Sequence, residues 1–388
     1  MSKKKFSVNG TFKDSVNTIK FLTERKQFID SADATLPTPT DDFGVNKVAK
    51  SLHPKEQKLV ICRIEEHADI AKSYYFNSEA PLAYFKAGQY LTFKLEIGNS
   101  VVTRSYSIAS SPASALNGEY QITVKRIADG FVSDYILDSW KVGDEVTAYA
   151  PEGNMTYNPL RDAKSIVAIA GGSGITPFLS LARAIEQGDE DCTLTLLYGC
   201  RTSGEILFKT ELDSLSEKNE KINVIYVLSH SDEEGYEKGF VGADIIKKYA
   251  PDGNYSIFIC GPGGMYKFLE AELPKLDKER KYIRFEVFSS GKKTEDPKEY
   301  SITVINRGEE TVIKASSSET VLCAFERAGI VVPARCHTGE CGFCRSKLVS
   351  GKVYIPEGED KRRIADMQFN FIHPCCCYPE SDLVIRIN

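Results

Sequence analysis

Three cysteines within one short loop, Cys336-His-Thr-Gly-Glu-Cys341-Gly-Phe-Cys344, constrain this chain more than any other feature. Three more stand side by side at Cys375, Cys376 and Cys377, and the chain holds 11 cysteines in 388 residues. Such clustering differs from the disulfide framework of a small secreted domain and points to metal or redox chemistry. A zinc site favours two short C-x₂₋₄-C pairs. Here three sulfurs share one loop and a fourth must return from far along the chain. That C-x₄-C-x₂-C spacing suits an iron–sulfur cluster wrapped by its own loop. Gly339 and Gly342 allow the tight bends that aim backbone N–H groups at sulfur. On the residues alone, Cys375, Cys376 and Cys377 all stand open as the fourth ligand. Cys62, Cys192 and Cys323 lie in apolar patterns and read as core thiols.

The length calls for two or three domains. A formal charge of −5 argues against a nucleic-acid footprint and against a polybasic membrane surface. Met1-Ser-Lys-Lys-Lys5 leads into Phe6-Ser-Val-Asn-Gly10 with no apolar signal stretch, and the longest apolar runs are too short to span a bilayer. A cytoplasmic location is expected.

The pattern along the chain changes character several times. Residues 1–55 are polar, with a short helix around Val16 to Phe28 and an extended linker over Thr35 to Asp42. Short β-rich runs follow at Leu59–Cys62, Tyr90–Ile97, Tyr120–Val124 and Glu145–Tyr149. Separated by Gly, Pro and Asn, they predict an antiparallel β-barrel over 56–160. From Ala163, buried strands at Ile166–Ala170, Leu194–Tyr198, Val224–Leu228 and Ile257–Cys260 alternate with helices. This predicts an α/β domain with an open parallel sheet over 161–290. A polar linker, Ser289 to Lys298, precedes a third region over 298–388. There a hairpin at Asn306-Arg-Gly-Glu309 joins two alternating runs, and a helix over Thr320–Ala328 leads into the cysteine loop.

Several motifs then resemble known ones. Cys375-Cys-Cys-Tyr-Pro379 resembles the ending of plant-type ferredoxins, where the ligand stands three residues before an aromatic-Pro pair. The resemblance implies an α+β ferredoxin-like (β-grasp) domain with a [2Fe–2S] cluster on Cys336, Cys341, Cys344 and Cys375. Arg104-Ser105-Tyr106-Ser107 resembles the R-x-Y-S flavin motif of the ferredoxin–NADP reductase family. It implies Arg104 on the flavin phosphate, Tyr106 against the isoalloxazine and Ser107 near flavin N5. Guanidinium matches phosphate by forked hydrogen bonds. Lys125, Gly130 and Ser133 follow at the family's distance for pyrophosphate contacts, at the start of a predicted helix. Pro151-Glu-Gly-Asn154 resembles the closing turn. FAD is implied, with FMN as the alternative.

Gly171-Gly172-Ser-Gly174-Ile-Thr176-Pro177 follows a predicted strand. It lacks the third glycine of the Rossmann fingerprint and is similar instead to the family's G-G-x-G-I-T-P loop. Arg201 ends the next strand, and Cys260-Gly261-Pro262 resembles the family's C-G-P motif beside the nicotinamide. All three segments sit at carboxyl ends of strands, where open α/β sheets bind ligands. Arg201 leaves NADH and NADPH both open. Phe285-Glu286-Val-Phe288 reads as a plain edge strand, with the alternative that Glu286 approaches the flavin–nicotinamide site.

In this order the parts resemble a ferredoxin–NADP reductase-type flavoprotein with a fused C-terminal ferredoxin. The resemblance implies electron flow from NAD(P)H through FAD to [2Fe–2S] and on to a partner protein. The expected catalytic group is Tyr106, Ser107, Cys260 and Glu286. The competing reading is an electron-transfer subunit of a larger complex working toward NAD⁺, with the N-terminal segment as a docking arm. A redox sensor fits less well, since nothing resembles an output domain.

Overall fold

The computed structural model describes residues 12–31, 44–52, 54–67, 70–98, 100–127, 131–286, 297–356 and 360–387. Both expected linkers, over Thr35–Asp42 and most of Ser289–Lys298, lie outside them, as does Gly130. The chain divides into two units, Met1–Ala49 and Lys50–Asn388. The first contains helix α1 (Phe12–Ser31), longer at both ends than its sequence suggests. Helix α2 (Gly44–Leu52) runs across the division.

Within the second unit, the first sheet is antiparallel. Its strands are β1 (Glu56–His67), β2 (Ala71–Asn77), β3 (Tyr90–Ile97), β4 (Ser100–Ser107), β5 (Tyr120–Lys125) and β6 (Glu145–Tyr149), in the order β4-β3-β6-β1-β2-β5. The sheet curls until its two edges meet at the Ile108–Ile122 bridge. Alternation buries one face around Phe76, Phe93, Tyr120 and Trp140, as a half-buried strand requires. Helix α3 (Pro112–Leu116) is capped by Ser111, and α4 (Phe131–Ser139) packs Val132 and Ile136 into the same core.

The second sheet contains β7 (Ser165–Gly171), β8 (Thr193–Cys200), β9 (Ile222–Leu228), β10 (Glu237–Lys238), β11 (Tyr255–Cys260) and β12 (Ile283–Glu286), all parallel, in the order β10-β9-β8-β7-β11-β12. Helices α5 (Thr176–Gln187), α6 (Lys209–Lys218), α7 (Ala243–Tyr249) and α8 (Gly263–Glu272) cross over it. β7, β8 and β11 are covered on both faces, which is why they read as continuous apolar runs. Helix α5 is tied to the first sheet. Arg183 donates to Ala109 O at 2.8 Å and Gln121 Oε1 at 2.6 Å, and Ser180 Oγ to Ser110 O at 2.6 Å. Buried Asp162 accepts from Arg161 and from Arg284 of β12, each at 2.8 Å. The Arg183 and Ser180 bonds hold α5 against the turn that follows β4.

The third sheet is mixed. β13 (Glu299–Asn306), β14 (Glu309–Ser316), β15 (Ser346–Ser350), β17 (Phe371–Ile372) and β19 (Leu383–Ile387) take the order β14-β13-β19-β15-β17. A small pair, β16 (Val353–Tyr354) with β18 (Tyr378–Pro379), lies beside it. Helix α9 (Val321–Arg327) covers the core of Ile302, Phe325 and Ile385, capped by Thr320, whose hydroxyl accepts from Cys323 N. Helix α10 (Ile364–Gln368) precedes β17. No helix among the described residues is long and apolar enough to cross a membrane.

Candidate functional site

The glycine loop after β7 makes one 3₁₀ turn, Gly172–Ile175, and α5 begins at Thr176 with Pro177 in its first turn. There the missing proline N–H costs nothing. A Cβ on Gly174 would lie 2.1 Å from Cys260 O, so no larger residue fits. A Cβ on Gly171 would meet Pro262 Cδ at 2.7 Å. The two expected nucleotide motifs are therefore packed directly on each other. Lys125 reaches this loop from β5, its Nζ 3.5 Å from where a Gly172 Cβ would be. Glu205, which sequence reasoning missed, bridges Lys125 at 3.6 Å and Arg201 at 2.8 Å. Its only sequence signal is a carboxylate four residues beyond Arg201.

Three strands carry the expected catalytic group: Tyr106 and Ser107 on β4, Cys260 on β11 and Glu286 on β12. Tyr106 packs on the barrel core, its ring 6.2 Å from Phe93. Ser107 ends β4, buried, and its hydroxyl bonds the Glu286 carboxyl. Burial above all, with the Glu340 charge adding to it, pushes the Glu286 carboxyl up to about 8 against the pull of Ser107. Glu286 Oε2 has no hydrogen-bonding partner among the described residues. Burial also raises the Cys260 thiol well above its ordinary value, helped by Glu286. A second missed residue, Tyr266 of α8, joins these parts: its hydroxyl accepts from Gly261 N at 2.9 Å and donates to Glu286 O.

A cavity of about 280 Å³ opens beside this group, lined by Tyr90, Gly153, Glu286, Cys336 and Cys341 among others. Gly153, at φ +122°, belongs to the expected closing turn, and a Cβ there would press to 3.0 Å from the Tyr90 ring. One space thus touches the ends of both larger sheets and the cysteine loop.

In that loop Gly339 and Gly342 take φ of +78° and +69°, a left-handed turn open to glycine without strain. Cys336 contacts the thiols of Cys341 and Cys375, and Cys375 also contacts Cys344. Backbone N–H groups point inward: Gly339 N donates to Cys375 Sγ at 3.3 Å and Cys341 N to Cys336 Sγ at 3.4 Å. Cys375 turns toward these sulfurs. Cys376 Sγ bonds His373 O at 3.4 Å, and Cys377 is sealed in the core against the sheet.

Two expected flavin contacts are engaged elsewhere. Arg104 donates to Glu326 of α9 and to Thr103 O, and Ser105 Oγ donates to Arg335 O at 3.2 Å. Ser133 is buried in the first turn of α4, and its Oγ has no partner among the described residues.

These residues suit the groups the motifs imply. Four convergent sulfurs with inward N–H donors match a thiolate-held cluster. The orphan Ser133 hydroxyl at the first turn of α4 offers a donor to one pyrophosphate, and Lys125 at the Gly172 turn offers a cation to phosphate.

Comparison with known proteins agrees. Residues 61–157 match the oxidoreductase FAD-binding domain, residues 168–271 the oxidoreductase NAD-binding domain and residues 304–380 the 2Fe-2S iron-sulfur cluster binding domain. The chain is 30% identical over 350 residues to one of the subunits of the 1,2-phenylacetyl-CoA epoxidase of Escherichia coli (strain K12), covering 84% of this chain and 96% of that one. It is 26% identical over 347 residues to the glycine betaine monooxygenase reductase subunit of Chromohalobacter salexigens, covering 83% and 93%. Among solved structures, phthalate dioxygenase reductase superposes with a TM-score of 0.65 at 25% identity, covering 86% of this chain and 98% of that one.

Fold and domain order together define a flavin-dependent NAD(P)H oxidoreductase with an attached iron–sulfur domain. Electrons pass from the nicotinamide nucleotide through FAD to [2Fe–2S] and on to a partner protein. The chain belongs to the family of phthalate dioxygenase reductase-type reductase components.

Proposed function

We propose that this chain is the reductase component of a multicomponent oxygenase and delivers single electrons to a separate oxygenase protein. The observation that carries the reading is the cavity lined in common by Glu286, Cys336 and Cys341, which supports an entry site lying beside the exit loop. The named relatives serve oxygenases of different substrates, so the substrate belongs to the partner. We assign 56–160, 161–290 and 298–388 to the flavin, nucleotide and iron–sulfur domains, with 1–55 as an extension. The cytoplasm, which keeps thiols reduced, is the matching compartment for a chain rich in free cysteines.

The roles we assign are these. Cys336, Cys341, Cys344 and Cys375 hold the cluster. Gly171, Gly172, Gly174, Thr176 and Pro177 form the nucleotide phosphate turn, with Lys125 and Arg201 beside it. Cys260, Gly261 and Pro262 wall the nicotinamide side. Tyr106 would back the flavin ring, while Ser107 and Glu286 form a hydrogen-bonded pair that could hold or release a proton at the flavin–nicotinamide site. Ser133, whose buried hydroxyl is unpartnered among the described residues, adds a flavin contact, and Ser105 and Gly130 are assigned to the flavin by motif alone. When bound, FAD would supply an acceptor for the hydride of NAD(P)H and [2Fe–2S] a one-electron carrier that hands the two electrons on singly, the proton being left to solvent. The chain's own task is to align these centres and exclude water between them.

Anaerobic titration of the loaded protein with NADH, and separately NADPH, tests the reading. One nucleotide should bleach both flavin and iron–sulfur absorption. If neither bleaches either chromophore, the reading is wrong.

A further inference from the structure

Strand β4 reaches into the third domain through three consecutive side chains. Arg104 donates to both carboxylate oxygens of Glu326, at 3.2 and 3.1 Å. Thr103 Oγ1 donates to Ala334 O at 3.1 Å and lies 2.9 Å from His337 Nε2, and Ser105 donates to Arg335 O. One hydroxyl carries one hydrogen, so His337 Nε2–H is the donor to Thr103. The arrangement is anchored from the other side as well. Arg335 pairs with Glu152 at 2.7 Å and lies 4.7 and 3.9 Å from the ring centres of Tyr149 and Phe343. The stitched segment, 334–337, runs straight into Cys336.

Glu326 is the centre of this contact. Its side chain is 5% exposed and that of Arg104 24%, and Glu326 also lies 4.0 Å from His337 Nε2. Its side-chain partners are Arg104 and His337. A carboxylate so buried is stable only while its cation stays in place. Arg104 therefore has a use in this chain besides the flavin contact its motif implies: part of its guanidinium faces the iron–sulfur domain.

We propose that the Arg104–Glu326 pair is an interdomain latch that seats the Cys336 loop against β4 and so sets the rate of electron transfer from flavin to cluster. Glu326 is a positioning residue. The inference rests on the electron path given under Proposed function. Its logic is geometric: transfer between two centres falls steeply as their gap opens, and the latch fixes that gap.

The test uses the full-length protein with FAD and cluster loaded, carrying Glu326→Ala or the isosteric Glu326→Gln. Rapid mixing with the nucleotide that bleaches the wild type follows flavin reduction and cluster reduction separately. Flavin content and the flavin-bleaching rate should match the wild type, while cluster reduction slows about tenfold or more in Glu326→Ala, as expected when a positioned pair is let slip. Amide exchange over 334–338 should quicken in parallel. Glu326→Gln, which preserves volume, should show the same separation and covers a failure of the alanine variant to fold. Wild-type cluster reduction in either variant overturns the latch. Loss of FAD from Glu326→Gln also overturns it, by assigning Glu326 to flavin retention. Failure of the electron path itself is distinguishable, because the wild type would then show no bleaching.

Discussion

At the residue scale, Glu286 and the cysteine trio bear the sharpest consequences. Glu286 faces Ser107, Cys260, Tyr90 and Tyr266, with Glu340 the nearby charge that opposes its ionisation. Its folded value, about 8, stands above the ordinary 4.5. The folded state therefore binds the proton more tightly than the unfolded chain. Stability from this group is full below about pH 4.5 and is lost as pH rises toward 8. Glu286→Gln should gain on the wild type across that window by on the order of a few kcal/mol, since each unit is worth about 1.4 kcal/mol. Melting curves of the two proteins at pH 5 and pH 9 decide it; an equal difference at both ends would refute the assignment. For the cysteines, Cys375→Ser should lose the cluster's absorption and spin signal, while Cys376→Ser retains them. Cys377→Ser should retain the cluster too but melt lower, because a hydroxyl would enter an apolar core. Sequence alone left the three equivalent until a resemblance chose among them. What separates them in space is a turn of backbone that sends the Cys375 sulfur to the loop, bonds Cys376 to His373 O beside it and buries Cys377 in the sheet core.

At the element scale, strands that alternate or run continuously apolar were legible. β3 spans Tyr90–Ile97 and β6 spans Glu145–Tyr149, the same bounds that alternation and β-branched content suggest. Strand β2, Ala71–Asn77, was not legible: Ser73 to Phe76 are all buried, leaving no period of two. β1 outruns its apolar start because its exposed second half pairs with β2 through charged residues such as Glu65 and Glu66. The glycine loop was legible as a turn, but its contact with the C-G-P motif was not, since that depends on β7 and β11 being neighbours. The same adjacency makes a prediction. Gly174→Ala would drive a methyl into Cys260 O, and overpacking against backbone costs about 1–3 kcal/mol. The variant should melt lower and lose bleaching by nucleotide, while dithionite still reduces its cluster. Full nucleotide bleaching would show that the two motifs move apart at little cost.

At the scale of the whole molecule, the domain order could be read from motifs, but the way the third domain sits could not. Its seat depends on pairs more than 180 residues apart in sequence, Arg104 with Glu326 and Glu152 with Arg335. The sequence marks Arg104 and Glu152 only as members of flavin-side motifs and gives Glu326 and Arg335 no mark at all, so nothing in it pairs them. From Ser301 onward the chain carries 11 basic and 11 acidic residues, so long-range charge steering does little to bring this domain to the flavin. Covalent linkage does that instead, by holding the third domain at high effective concentration. Cluster reduction after nucleotide is added should then be first order, with a rate constant unchanged on tenfold dilution of the protein. Cleaving the chain between residues 290 and 297 should make the same step depend on concentration, since the seat alone must then recapture the released domain. A cleaved protein that transfers at the intact rate at every dilution would mean that the buried contacts, and not the linker, hold the two centres together.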